Sequence, residues 1–173
     1  FWNHRVNEVD YSGSGVNEMK KAHPDWVIKT WWEQGLWNLA VPEVRQYQVD
    51  ILQELARNYE LDGIQLDLAR HVPHLPPGHQ WELRDEMTEF IRMVRLMTLG
   101  IEQERGRPLL LAAKVPRNLE GCHADGFDIE AWAQQNLVDI LTLGSRSMDV
   151  DIAGFQRTTA GHNVRLQPCH DEY

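Results

Sequence analysis

The stretch LDGIQLDLARHVPH, residues 61 to 74, carries the strongest signal in this sequence. It opens on an Asp–Gly turn pair, after which apolar and polar residues alternate with the period of a β-strand. Asp67 lies inside that alternation, and Arg70 and His71 follow where the strand should end. A carboxylate inside an apolar strand is costly to bury without partners, so this aspartate suggests a site.

Helical and strand-like segments alternate on both sides of this stretch. Residues 41–60 form an amphipathic helical pattern in which Pro42 suits the first turn. A strand-like segment opens the chain at residues 1–9. After the quoted stretch, a loop at residues 70–80 leads into a long helical pattern that runs to about Glu104. The later segments are a buried strand at 108–115, a short helix at 128–136, a strand at 138–144, a helix at 151–161 and a strand at 163–169.

This alternation predicts a parallel sheet with right-handed crossovers. No G-x-G-x-x-G motif follows any strand, which argues against an open dinucleotide-binding sheet. We therefore predict an α/β fold of the (β/α)8 TIM type, incomplete in this chain, with about five βα units. Residues 1–173 should form a single domain, with a loop-rich excursion at residues 10–41.

Composition restricts the classes of partner. The chain has 173 residues and a formal net charge of −9, which argues against a nucleic-acid or anionic membrane partner. Its two cysteines cannot form a disulfide framework. The chain begins on an aromatic pair without Met, and we expect a segment of a longer protein. The rest of the barrel, or another chain, should then cover the sheet edges.

Polar and ionisable residues stand at the end of every predicted strand. Active sites of parallel α/β folds collect at the carboxyl ends of the strands. The alternative is that these residues are polar only because loops adjoin strands. In chain order they are His4, Arg5, Asn7 and Glu8; Asp67, Arg70 and His71; Lys114 and Arg117; Ser145 and Arg146; and Gln167, Cys169, His170 and Asp171.

Asp67 is the strongest of these candidates, because it lies within a strand. Arg70, His71 or Lys114 can offset the cost of burying it. The alternative is an ion pair that only locks the strand end. Lys114 follows a run of apolar strand residues and should point into the barrel or its mouth, although a lysine of this kind can also extend to solvent.

Histidines and tryptophans suggest two further kinds of site. His71, His74 and His79 match no metal-binding spacing, so we predict no metal. Four tryptophans lie in the excursion, where exposed indoles can stack on sugar rings and buried ones serve the core. At least two of the four should belong to the core. We predict that Trp32 and Trp37 bind sugar.

The segment DGIQLDLARH resembles the fourth-strand motif of α-amylase-type glycoside hydrolases, in which the second Asp is the nucleophile. It is more similar still to the glycoside-hydrolase-like proteins usually called family 10 glycosylhydrolases. In those proteins a helix beginning PEVR precedes the motif, and strands like GRPLLLAAKVP and VDILTLGS follow, an order that covers residues 41–145 here. The resemblance implies a sugar-active barrel, with Asp67 as nucleophile and His71 as the residue that closes the motif.

Two departures from the amylase pattern stand out. Gln65 occupies the position of the amylase arginine, and the strand ending at Lys114 has no acid/base glutamate after it. The pair His170–Asp171 is similar to the amylase His–Asp pair after the seventh strand. The amylase mechanism is therefore not expected in full, and what remains is a sugar-active barrel centred on Asp67.

We expect hydrolysis of a glycosidic bond by two carboxyl groups without a cofactor. Asp67 would be the nucleophile, or the general base of an inverting enzyme, and Glu8 and Asp171 are the candidates for the second carboxyl within this chain. The expected substrate-binding residues are His4, Asn7, Arg70, His71, Lys114, Gln167, Trp32 and Trp37.

Two alternatives stay open at this stage. A metal-dependent hydrolase on the same fold would use the histidines together with Asp67 and Asp171. A non-catalytic barrel that binds carbohydrate or a protein would account for the absent glutamate after Lys114.

Overall fold

The computed structural model describes residues 1–7, 17–30, 32, 34–144 and 149–169. In chain order the elements are β1 (Trp2–Arg5), α1 (Glu18–Ala22), a 3-10 turn (Pro24–Trp26), β2 (Val27–Ile28), β3 (Leu36–Trp37), α2 (Pro42–Asn58), β4 (Gly63–Asp67), α3 (Arg84–Arg105), β5 (Leu110–Val115), α4 (Leu119–Asp125), α5 (Ile129–Gln134), β6 (Ile140–Leu143), α6 (Ile152–Thr158) and β7 (Arg165–Pro168).

The main sheet has five strands in the spatial order β1-β4-β5-β6-β7, and every neighbouring pair is parallel. This order never reverses along the chain. A doubly wound sheet would reverse it at a switch point, whereas a barrel adds each strand on the same side of the last. The fold is therefore α/β and singly wound, and the described residues supply five strands of a barrel-type sheet, as predicted.

The two faces of this sheet differ in chemistry. Leu66, Ala113 and Leu141 are register partners on one face, and all three are buried in the core. Phe90 and Val94 of α3 belong to the same core. Because side chains alternate along a strand, the residues between them point to the opposite face, which carries no helix of the α2–α3 layer.

Capping residues fix several helix boundaries. Asp128 caps α5 as its sequence suggests, and its Oδ1 accepts from the backbone N–H of Ala131 at 3.0 Å. Helix α4 was not predicted from the sequence. Asn118 caps it through a 2.9 Å bond from the N–H of Gly121, and Gly126 ends it with a φ of 79°.

The excursion contains only short elements in its described part. Strands β2 and β3 form a two-stranded antiparallel sheet, in which Ile28 and Leu36 are buried. The excursion is tied to the body where Leu39 N–H donates to the backbone oxygen of His74 at 2.9 Å. Across the described residues, none of the helices combines the length and the apolar character needed to traverse a lipid bilayer.

Candidate active site

Five residues form one row across the sheet, at or near the carboxyl ends of the strands. Register pairs join Arg5 to Asp67, Asp67 to Lys114, Lys114 to Thr142 and Thr142 to Gln167. Register partners on parallel strands point to the same face, and adjacent strands lie about 4.8 Å apart. We call these five residues the polar row. It lies on the face opposite the helices.

Asp67 is the buried carboxylate of the polar row. Its side chain is 3% exposed, and its Oδ1 atom has no hydrogen-bond partner among the described residues. Two cationic residues, Arg5 and Lys114, occupy the positions beside it on the neighbouring strands. Their positive charge offsets part of the cost of burying the carboxylate. An unused acceptor atom at a strand end can take a proton or attack an electrophile.

A hydrogen-bonded chain of side chains links β6, β4 and β1 on the same face. Thr142 Oγ1 donates to Gln65 Oε1 at 2.8 Å, and Gln65 Nε2 donates to Asn3 Oδ1 at 3.1 Å. Gln65 lies two residues before Asp67, so it shares the face of the polar row. This face of the sheet is therefore polar as well as uncovered by the α2–α3 layer, and these hydrogen bonds link side chains of three strands.

Asn7 holds three segments together next to the polar row. Its Oδ1 accepts from the backbone N–H of Trp37 at 2.7 Å. Its Nδ2 donates to the backbone oxygen of His71 at 3.2 Å and to Nδ1 of His74 at 3.1 Å. We call this arrangement the Asn7 clamp. Because both ends of the amide are used by protein groups, Asn7 positions the loops around the site, and we do not assign it a sugar contact.

His71 and His74 lie in the loop after β4, and their contacts differ. His71 Nδ1 donates to the backbone oxygen of Asn7 at 2.5 Å. His74 Nε2 donates to the backbone oxygen of Leu68 at 2.8 Å, while its Nδ1 accepts from Asn7. Burial lowers the pKa of His74 to about 4, against the opposing effects of the Leu68 hydrogen bond and the Asp67 charge. His74 is therefore neutral at physiological pH and serves the structure of the loop.

Two predicted substrate-binding residues lie away from the polar row. His4 is a register partner of Leu66 on the helix-facing side, and its Nε2 lies 3.0 Å from Gln48 Oε1 on α2. Trp37 is 6% exposed, and its ring packs on Tyr47 at a centroid distance of 5.3 Å. The expectation that these two residues line the cleft therefore needs correction, because both contribute to packing between the excursion, the sheet and α2.

The remaining residues predicted to bind substrate or to act in catalysis differ in their location and burial. Trp32 is half-buried, and its indole meets the His71 ring edge-on at 6.1 Å. Arg70 is half-buried directly after β4, and Gln167 is exposed on β7. The two candidates for the second carboxyl, Glu8 and Asp171, lie outside the described residues.

The sequence places Arg5 at a strand end without marking it as a substrate-binding residue, and it does not single out Thr142 or Asp125, but the structure brings all three to this end of the sheet. Arg5 and Thr142 belong to the polar row, and Asp125 ends α4. The sequence does indicate where Arg5 points. Val6 is apolar and lies two residues after His4, so both side chains should face the core, and the Arg5 side chain between them should face the opposite side. The signal for Asp125 was the capping pattern that defines α4.

Asp125 lines a cavity of about 550 Å³ beside the carboxyl ends of β4 and β5. Ala69, Pro116 and Arg117, which follow those two strands, also line it. Burial raises the pKa of the Asp125 carboxyl to about 6. This carboxyl is therefore largely protonated at mildly acidic pH, where an ordinary aspartate is ionised.

The raised pKa of Asp125 predicts a pH-dependent stability change in the variant Asp125→Asn. Below the usual pKa of 3.8 the carboxyl is protonated in both folded and unfolded chains. Between that value and about 6 only the unfolded chain ionises, so the wild-type protein loses stability as pH rises through this window. Asp125→Asn should therefore raise the melting temperature at about pH 7.5 and leave it nearly unchanged at about pH 4.

Melting curves of the variant and the wild type at both pH values measure this effect. His74 is present in both proteins, so its own titration cancels from the difference. Asp50→Asn, on the exposed side of α2, is the matched control and should change neither melting temperature. An Asp125→Asn protein that is no more stable than the wild type at about pH 7.5 would show that this carboxyl is not desolvated.

Metal ligands do not cluster in the described part of the chain. In residues 1–7, 17–30, 32, 34–144 and 149–169, no group of three or more His, Cys, Asp or Glu side chains could hold a metal ion. His79, one of the histidines noted in the sequence, is instead on the surface and bonds to Glu82 Oε2 at 2.8 Å.

Two solved structures share the fold at low sequence identity. Chitinase ChiA74 from Bacillus thuringiensis aligns with a TM-score of 0.52 and 15% identity over 74% of this chain. A glycoside hydrolase family 18 N-acetylglucosaminidase from Paenibacillus barengoltzii aligns with a TM-score of 0.50 and 17% identity over 82% of this chain. The chain therefore shares the TIM-barrel fold of these two proteins.

This chain covers less than half of the length of each of these two proteins. It spans 25% of the chitinase and 45% of the N-acetylglucosaminidase. No protein-family model and no curated protein matches its sequence. The predicted kinship with the family 10 proteins is therefore not shown and stays a prediction.

Proposed function

We propose that this chain forms the catalytic part of a glycoside hydrolase that uses Asp67. The observation that carries the proposal is the environment of Asp67 at the carboxyl end of β4. The carboxylate is buried, one of its oxygens has no hydrogen-bond partner among the described residues, and cationic residues occupy both neighbouring strands. The names of the two structural neighbours, a chitinase and an N-acetylglucosaminidase, support a carbohydrate substrate.

Each member of the polar row has a role in this proposal. Asp67 attacks the anomeric carbon, or activates a water in an inverting enzyme. Lys114 and Arg5 stabilise the negative charge of Asp67 and donate hydrogen bonds to sugar hydroxyls. Thr142 and Gln167 extend the hydroxyl-binding surface towards β7. Hydrolysis of this kind needs no cofactor.

The second carboxyl must be protonated in order to act as the general acid. Glu8 and Asp171, predicted from the sequence, remain candidates, and we add Asp125. Its carboxyl lines an open cavity beside β4 and β5, and its raised pKa keeps the proton to about pH 6. If Asp125 is the acid, the rate falls as pH rises through about 6, and Asp125→Asn removes that limb of the profile.

The experiment that tests the function uses the full-length protein with a panel of oligosaccharides, including chitin fragments and neutral glucans. Released reducing ends are measured with and without a chelator. We expect release that is unaffected by the chelator. Release that is lost with the chelator and restored by zinc or manganese would instead identify a metal-dependent hydrolase, and oligosaccharide binding without release would identify a non-catalytic barrel.

A further inference from the structure

Residues of the excursion line a cavity of about 300 Å³, open to solvent, that the proposed chemistry does not use. It lies between α1 and the β2–β3 sheet. The residues that line it include Lys20, Lys29 and Trp32, together with Thr30 and Gln34. Among the described residues, its lining contains two lysines and no Asp or Glu, in a protein whose net charge is −9.

Lys20 is the unusual member of this wall. Its side chain is buried, with 6% exposure, and its Nζ donates to the backbone oxygen of Gly35 at 2.8 Å. The ammonium also lies 5.0 Å from the centroid of the Trp37 ring. Burial lowers the pKa of Lys20, and no described carboxylate lies within salt-bridge distance to offset that effect. An ammonium has three N–H donors, and the single carbonyl uses one of them.

The neighbouring Lys21 differs from Lys20 in having an acidic partner. Lys21 is exposed and pairs with Glu18 Oε1 at 2.7 Å on the surface of α1. Lys20, one residue earlier, is buried and has no acidic partner among the residues that the structure describes. Burying a cation without a counter-charge is unfavourable, so a bound anion would relieve a cost that the protein alone carries.

Trp32 gives the cavity a surface for a ring. Its indole is half-buried in the wall, and the C–H faces of sugar rings stack on such surfaces. The same indole meets His71, whose Nδ1 bonds to the backbone oxygen of Asn7 beside the polar row. The cavity is therefore connected through one aromatic contact and one hydrogen bond to the loops that surround Asp67.

We propose that this cavity is a subsite for a sugar ring bearing an anionic group, with Lys20 binding the anion and Trp32 stacking on the ring. The ligand class is an acidic oligosaccharide, with a uronic acid carboxylate or a sulfate ester as the charged group. Lys29, at the exposed rim, adds a second positive charge that draws the anion towards the cavity. This inference rests on the proposed function, because it names the substrate class of the same enzyme.

Titration calorimetry with the full-length protein tests the proposal. The probes are three oligosaccharides of equal length, a uronic acid oligomer, a sulfated oligomer and a neutral glucan. We expect one of the two acidic oligomers to bind at least about tenfold more tightly than the neutral one, and to lose that advantage at high salt. The charged oligomer that binds more tightly identifies the anionic group.

Three variants separate the contribution of the Lys20 charge to binding from that of stacking on Trp32. Lys20→Gln should reduce binding of the acidic oligomer about tenfold and leave the neutral one unchanged, because the substitution removes the charge and keeps Trp32. Trp32→Ala should weaken both ligands, since stacking does not depend on charge. Lys21→Gln is the matched control and should change neither affinity. Melting curves of each variant establish that it is folded.

Equal affinity for acidic and neutral oligomers, or equal behaviour of Lys20→Gln and Lys21→Gln, would overturn this inference. Those outcomes leave the proposed function standing if neutral sugars are still hydrolysed in a manner that depends on Asp67. Conversely, turnover that survives Asp67→Asn overturns the proposed function, while a preference for acidic sugars that depends on Lys20 would still identify the cavity as a binding site.

Discussion

Asp67→Asn is expected to lower turnover by roughly a thousandfold or more while the protein remains folded. Asparagine has nearly the size of aspartate, so the packing at the end of β4 is kept. The amide cannot attack as a nucleophile or accept a proton from water at neutral pH, so the proposed reaction would lose the carboxylate on which it depends. Measurement of kcat and of the circular dichroism spectrum separates lost chemistry from lost structure.

Asp62→Asn is the matched control for this substitution. Asp62 stands just before the same strand, but its side chain is 80% exposed and pairs with Arg107 at 3.0 Å. Surface pairs of this kind contribute little to stability, so this variant should keep full activity. If Asp67→Asn were as active as Asp62→Asn, Asp67 would be a structural residue that only locks the end of its strand.

Asn7→Ala is expected to destabilise the protein by about 3 kcal/mol or more, because it removes a buried amide that satisfies groups on several segments. The Trp37 N–H loses its acceptor, and the His71 carbonyl and His74 ring lose their shared donor. Water cannot replace these bonds easily at a site that is 2% exposed. The midpoint of urea unfolding should fall by about 1 to 2 M.

Asn163→Ala is the control for this change, since Asn163 is an exposed residue before β7 and should leave the urea midpoint unchanged. An Asn7→Ala protein with the wild-type midpoint would mean that the Asn7 clamp contributes nothing to stability. Activity should fall together with stability in Asn7→Ala, because the loop after β4 loses its attachment to β3.

The order of strands and helices could be predicted from the sequence because it depends on local patterns. The buried run before Lys114 and the alternation around Asp67 each specify a strand without any knowledge of its neighbours. Their adjacency follows from the rule that consecutive parallel strands lie side by side. For this reason the sequence was sufficient to predict that Asp67 and Lys114 stand next to each other, and their register pairing confirms it.

The direction of side chains at the ends of β1 was harder to predict. His4 is polar and near a strand end, which suggested a place in the cleft, but buried Val6 shows that this side faces the core. A strand of four residues gives too few alternations to fix its faces from pattern alone. Arg5, one residue later, therefore occupies the position expected for His4.

The contacts of Asn7 and Trp37 could not be predicted, because they join residues far apart in the chain. The bond between Asn7 and His74 spans 67 positions, and no local pattern encodes it. A buried asparagine and an exposed one look alike in sequence. The environment that lowers the pKa of His74 likewise comes from tertiary packing.

The Asn7 clamp has a consequence for how the specificity of this barrel can evolve. Most of its partners are main-chain groups, namely the N–H of Trp37 and the carbonyl oxygens of His71 and Pro73. Almost any amino acid supplies these groups, so the clamp does not depend on the identity of the side chains at those positions. The excursion can therefore exchange its surface residues over generations, and with them the ligand proposed for its cavity, while it stays attached to the same scaffold beside Asp67.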